Sequence, residues 1–96
     1  MKDQPNILLI MADQLSAPFL SFHGGPAKTP NIDRLAASGV NFTSTYSNSP
    51  LCAPARFAMM SGQLNSKIGA YDNASEFPSS IPTFAHYLRA AGYQTS

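Results

Sequence analysis

The chain's one cysteine, Cys52, opens the string Cys52-Ala53-Pro54-Ala55-Arg56, which sets a thiol and a guanidinium one helical turn apart. A lone cysteine has no intramolecular disulfide partner and cannot by itself make up a structural zinc site. The preceding Ser47-Asn48-Ser49-Pro50-Leu51 is turn-forming, so Cys52 falls at the mouth of an expected helix. A helix N-terminus offers free N–H groups and a partial positive charge, and Arg56 adds a full one. This is a place suited to an anion. A second candidate is Asp13-Gln14, directly after an apolar run. Both are oxygen donors of the kind a hard cation takes. An aspartate in that position also reads as a plain turn or cap residue.

Cys52 has three readings. As a small buried hydrophobe it would be inert. As a thiolate beside Arg56 it would act like the nucleophile of a cysteine phosphatase. That chemistry needs a longer glycine-containing loop of N–H donors, whereas here the interval is short and Pro54 removes one donor. In the third reading the thiol is a precursor, converted into another group.

The elements that must position these residues follow from pattern. Pro5 to Met11 is a continuous apolar run, expected as a strand buried on both faces of a parallel sheet, with Asp13 and Gln14 at its ligand-binding C-terminal end. Residues 15–28 read as loop. Thr29 as N-cap, Pro30 at the first position and Gly39 as stop delimit a helix. Val40 to Tyr46 alternates as a strand with unlike faces. A short helix through Phe57, Ala58, Met59 and Met60 ends at Gly62, and residues 63–80 look irregular. A last helix begins at Ser80-Ile81-Pro82, carries Phe84, Leu88 and Ala91 on one side, and stops at Gly92, and Tyr93 to Ser96 starts another strand. The expected fold class is α/β. A chain that stops as a strand begins reads as interrupted. No internal repeat or low-complexity tract is evident.

Ninety-six residues bound the chain to at most one small domain. Charged residues are 11% of the chain, well under the usual about 25%, so much of the surface is expected to be covered. A net charge of +1 and the lack of basic runs interleaved with aromatics give no support to nucleic acid or a membrane surface as partner. The run Ile7 to Ala12 is too short for a signal core or for the about 20 residues of a bilayer span. The default reading is a soluble cytoplasmic protein with Cys52 reduced unless modified. His23 reads as a solvated loop residue, His86 as packing or surface, Met59 and Met60 as core filler, and Lys67 as solvated.

Cys52-Ala53-Pro54-Ala55-Arg56, preceded by Ser49-Pro50 and followed by Met60-Ser61-Gly62, resembles the first signature of the type I sulfatases. Pro5 to Ile10 with Asp13, and Thr29 to Ala36 through Gly39-Val40, resemble that family's N-terminal block in the same order. Leu88 to Thr95 is similar to the lead-in of its second signature. Asp13-Gln14 stands where most members carry two aspartates. That departure, with Ile68 to Pro78 and Ile81 to Arg89, resembles the choline-sulfatase and phosphonate monoester hydrolase branch, choline-sulfatases in particular.

The resemblance implies a fold and a chemistry. The fold would be the N-terminal portion, residues 1–96, of a sulfatase or alkaline-phosphatase-like sheet flanked by helices, incomplete at its C-terminus and inactive alone. The activity would be hydrolysis of a sulfuric ester, choline-O-sulfate foremost. The alternatives are a phosphonate or phosphodiester hydrolase, or a non-catalytic α/β module with Cys52 as plain core. Cys52 would be oxidised to Cα-formylglycine by a formylglycine-generating enzyme. One oxygen of the hydrated aldehyde, held on a divalent metal (calcium first, with manganese or magnesium as alternatives), would attack sulfur, and the second hydroxyl would later expel sulfate. Arg56 would steady the diol and the developing charge. Asn73 would donate to a sulfate oxygen, Asp13 and the converted Cys52 would bind the metal, and Gln14 would serve metal or substrate. The implied partners are a small sulfate ester, the maturation enzyme and the remainder of the catalytic domain, with a homo-oligomer as a candidate assembly of the whole enzyme.

Overall fold

The computed structural model describes residues 4–96. The chain divides into two compact units, residues 1–43 and 44–96, and each is described by itself.

In the first unit the apolar run through Ile7, Leu8, Leu9, Ile10 and Met11 is exposed and takes no regular structure. The expected strand at 5–11 is therefore not formed, and neither are those at 40–46 and 93–96. Among the described residues the one sheet-like feature is an isolated parallel bridge between Leu20 and Ala27. The physical reason is that a parallel strand makes all its ladder hydrogen bonds with neighbouring strands, and among the described residues these segments have no ladder pairing. The α/β expectation is corrected to this extent: the described secondary structure is helical.

The loop expected over 15–28 contains two 3-10 turns, Ala17–Phe19 and Ser21–His23. Leu20 between them is buried, and its carbonyl accepts the Gly25 N–H at 2.9 Å, while the Phe19 carbonyl accepts the Ala27 N–H at 3.0 Å. The backbone folds so tightly here that a Cβ on Gly25 would lie 2.1 Å from the Pro18 carbonyl oxygen. No rotamer relieves a clash with backbone, so only glycine fits.

Helix α1 runs Pro30–Ser38 behind Thr29, as the Thr-Pro start predicts. Thr29 does not cap it by itself. Its hydroxyl donates to Asp33 Oδ1 at 2.9 Å, and the Ser21 hydroxyl donates to Asp33 Oδ2 at 2.6 Å. The Ser21 and Thr29 backbone N–H groups bond the opposite hydroxyl oxygens at 3.1 and 3.0 Å. The two hydroxyl oxygens also lie 2.8 Å apart, and with both hydroxyls donating to it the carboxylate is best satisfied in its ionised form. The Ser21 hydroxyl foremost, with the Thr29 hydroxyl and the Phe22 backbone N–H, holds the Asp33 carboxyl below the usual carboxylate range against the opposing effect of partial burial.

In the second unit, α2 spans Cys52–Ser61 and ends where Gly62 takes a left-handed conformation (φ 66°) and its N–H bonds the Ala58 carbonyl at 2.8 Å. The helix begins at Cys52 itself, the residue expected at its mouth, and runs through the expected Phe57–Met60 stretch. Pro54 is accommodated because it sits in the first turn, where an N–H has no helical acceptor. A one-turn helix α3, Asn65–Ile68, interrupts the stretch expected to be irregular. Helix α4, Phe84–Ala90, starts behind buried Thr83, whose N–H donates to His86 Nδ1 at 3.0 Å. His86 is thus a capping residue. α2 packs on α3 and α4, burying Pro54, Ala58, Ile68 and Ala70, and Phe57 lies against Phe77 with ring centroids 5.1 Å apart. Met59 is exposed and not the core filler expected. Among the described residues no helix is long and apolar enough to cross a membrane.

Ser21→Ala is expected to raise the Asp33 pKa toward its ordinary value, read from the carboxyl carbon shift in an acid titration. The sign of the stability effect follows from the depressed value. The network's contribution is full above the unfolded-state pKa of Asp33 and is lost as pH falls through the folded-state pKa. Asp33→Asn should therefore lower the amide protection of α1 at neutral pH and leave it unchanged in acid below the folded value.

Candidate functional site

A helix presents its first N–H groups without intrahelical partners, and at α2 the sequence leaves few of them. The N-cap Leu51 has no acceptor side chain, and Pro54 has no N–H. The first intrahelical bond runs from the Ala55 N–H to the Leu51 carbonyl at 2.9 Å. The Ala53 N–H is taken from outside the helix, by Asn73 Oδ1 at 3.0 Å. Asn73 therefore stands at the mouth of α2, one residue from Cys52. The bond fixes its amide by the oxygen end and leaves the two N–H donors of Nδ2 for another group.

Cys52 is an exposed free cysteine, which removes the buried, inert reading of that residue. Arg56 is also exposed and follows Cys52 by four residues on α2, so the two share a face of the helix. The helix mouth thus gathers the N-terminal end of the backbone dipole, a guanidinium one turn on and an amide side chain, all of a sign that favours an anion.

The loop carrying Asn73 is tied to itself and to the helix. Ser75 Oγ accepts the Tyr71 and Asp72 N–H groups at 3.2 and 3.3 Å and donates to Asp72 Oδ1 at 2.9 Å, and Asp72 Oδ1 also accepts the Ala74 N–H at 3.0 Å. Asn65 Nδ2 donates to the Pro54 carbonyl at 2.8 Å and to the Ala70 carbonyl at 3.1 Å. Carbonyls only accept, so the amide can be oriented in no other way. Its oxygen is left buried and has no partner among the described residues, a cost of about 1–3 kcal/mol. Asn65 stood out in no sequence pattern. Its role depends on where Gly62 turns the chain, and a single asparagine in a polar stretch carries no periodic signal.

A cleft of about 310 Å³ opens between Asn48, Ser49 and Pro50 on one side and Leu64, Asn65 and Tyr71 on the other. Neither Cys52 nor Arg56 lines it, and both stand exposed outside this cleft.

Asp13 and Gln14 belong to the first unit, where they form a turn after the apolar run. Gln14 adopts φ 54°, a left-handed conformation that costs a non-glycine residue about 1–2 kcal/mol. Both are exposed. Among the described residues no three His, Cys, Asp or Glu side chains come together in a way that could hold a metal ion.

The sulfatase family model matches residues 5–96. This chain belongs to the sulfatase family. It is 52% identical over 96 residues to a choline-sulfatase of Rhizobium meliloti, an alignment covering 97% of this chain and 18% of that protein. It is 37% identical over 94 residues to an N-acetylglucosamine-6-O-sulfatase of Bacteroides thetaiotaomicron, covering 97% and 17%. It is 44% identical over 99 residues to arylsulfatase A of Bos taurus, covering 95% and 19%. The chain thus spans less than a fifth of the length of these relatives.

Asn73→Ala is expected to speed amide exchange at Ala53 about fivefold, matching the roughly 1 kcal/mol of a helix cap. Asn73→Asp keeps the acceptor and adds a favourable charge at the helix N-terminus, so it should preserve the protection.

Proposed function

We propose that this chain carries the nucleophile-bearing helix of a sulfuric ester hydrolase whose substrate is choline-O-sulfate. The single observation behind this reading is the helix mouth itself. Cys52 opens α2 in the open, Arg56 follows on the same face, and Asn73 is fastened beside it through Ala53. Membership of the sulfatase family supports the reaction type, and 52% identity to a choline-sulfatase supports the choice of ester.

A formylglycine formed from Cys52 would supply, once hydrated, a geminal diol with one oxygen to attack sulfur and a second to release sulfate. The chain's own residues have separate tasks. Arg56 places a fixed positive charge against the diol and the charge that develops on the transferred group. Asn73, held by its oxygen, directs N–H donors at a sulfate oxygen. The Cys52 N–H, an N-terminal donor of α2, points the same helix end at the anion. Asp13 offers a carboxylate and Gln14 an amide oxygen, a donor chemistry that suits calcium, with manganese or magnesium as alternatives. The other ligands would come from the remainder of the catalytic domain.

That remainder would also complete the sheet. The segments at 5–11 and 40–46 leave Leu8 at 83%, Ile10 at 78% and Phe42 at 78% exposure, far above what buried apolar residues show. In the whole enzyme they would pair as strands of an alkaline-phosphatase-like sheet, which would cover them.

The test has two parts. Mass spectrometry of the peptide containing residues 52–56, from the protein's native source, should show formylglycine, and an unmodified thiol there would overturn the mechanism. The full-length protein should hydrolyse choline-O-sulfate. Cys52→Ala should lower turnover at least about a thousandfold, as loss of a nucleophile does, and Arg56→Ala about a hundredfold or more. Faster turnover of a phosphonate monoester would move the substrate to phosphorus.

A further inference from the structure

We infer that Asn65 is the positioning residue that seats Asn73 at the helix mouth. The inference rests on the sulfatase reading for its catalytic consequence but not for its geometry. Asn73 reaches α2 through one exposed hydrogen bond to Ala53. A bond of that kind does not by itself hold a loop in register. The hydrogen-bonded tie on the N-terminal side of the turn is Asn65, while the Phe57–Phe77 ring contact lies beyond its C-terminal side. The two Asn65 amide protons go to the Pro54 carbonyl in the first turn of α2 and to the Ala70 carbonyl, which precedes the Tyr71–Ser75 turn. Pro54 and Ala70 are fully buried, so both anchoring points are rigid.

The contacts close a ring. It runs from Ala53 to Pro54 along the helix, across the Asn65 amide to Ala70, through the turn tied by Asp72 and Ser75, and back by Asn73 to Ala53. Asn65 and Asn73 are its two side-chain links. Removing the first frees the turn to shift relative to α2, and Asn73 then leaves the place where its N–H donors face the group at position 52. The amide is required for this. No apolar side chain of that size bonds two carbonyls at once, and aspartate would oppose them with like partial charges. The buried, unpartnered Oδ1 shows that the residue is not the most favourable one for packing alone.

The experiment is a double-mutant cycle in the full-length enzyme with Asn65→Ala, Asn73→Ala and both together, measuring kcat and KM on choline-O-sulfate, with exchange of the Ala53 amide followed in parallel. Asn65→Ala should lower kcat about tenfold with KM within about twofold, and should deprotect Ala53 as Asn73→Ala does. In the Asn73→Ala background the same change should alter kcat by less than about twofold, because the residue it acts through is already gone. Full additivity would reduce Asn65 to a generally structural residue and overturn the inference, as would wild-type kcat in Asn65→Ala. If Asn65→Ala does not fold, Asn65→Ser, which keeps one donor, takes its place with a smaller loss in the same pattern. A wild-type enzyme inactive on sulfate esters would overturn the parent reading alone. Ala53 exchange then decides this one, and unchanged protection in Asn65→Ala would sink it.

Discussion

The bond from the Ala53 N–H to Asn73 Oδ1 is the constraint around which the second unit is organised. Helix α2 begins with a residue that cannot cap it and a proline that cannot donate, so its mouth has few groups with which to fix anything. The structure uses one of them to fasten a side chain from 20 residues further along. That arrangement brings a side-chain amide to the N-terminal turn that carries Cys52 and is followed, four residues on, by Arg56. The remaining contacts, the Asn65 amide and the Asp72–Ser75 turn, serve to keep the distant side chain there.

The first unit solves a similar problem with a carboxylate. Thr29 and Ser21 turn their hydroxyls to Asp33, and in doing so they clasp the 3-10 turn at Ser21–His23 to the start of α1. Both units therefore define a helix entry by side chains borrowed from outside the helix. Ser21 is held by bonds to both Thr29 and Asp33, and Asn73, which makes one bond to α2, is backed by the Asn65 tie. A single exposed bond would exchange freely with water, and the paired geometry is what gives the entry a fixed form.

The sequence made some of this legible and not the rest. Some helix starts and stops were readable because they depend on residue chemistry within a few positions, Thr29-Pro30 before α1 and Gly62 after α2 with its left-handed turn, whereas the last helix starts at Phe84 and not at the expected Ser80-Ile81-Pro82. The Cys52-to-Arg56 string drew attention because its residue types and spacing are themselves the signal, and the sulfatase family model matches residues 5–96. The strands expected from the apolar run at 5–11 and the alternation at 40–46 are not formed among the described residues, because strand formation depends on partners that periodicity cannot supply. Asn65, His86 and the Ser21–Asp33 clasp were invisible for a related reason. Each acts by meeting a backbone group or side chain whose position is settled only after the chain has turned.

The span of these ties has a kinetic meaning. The widest hydrogen bond described within the second unit joins residues 20 apart, and those of the Ser21–Thr29–Asp33 clasp join residues no more than 12 apart. Closing short loops is fast, and a chain emerging from the ribosome can close them in the order in which they are made. The helix entry at Cys52, with Asn73 fastened to it, is thus a structure that synthesis itself can complete early, because every tie that holds it closes within 20 residues.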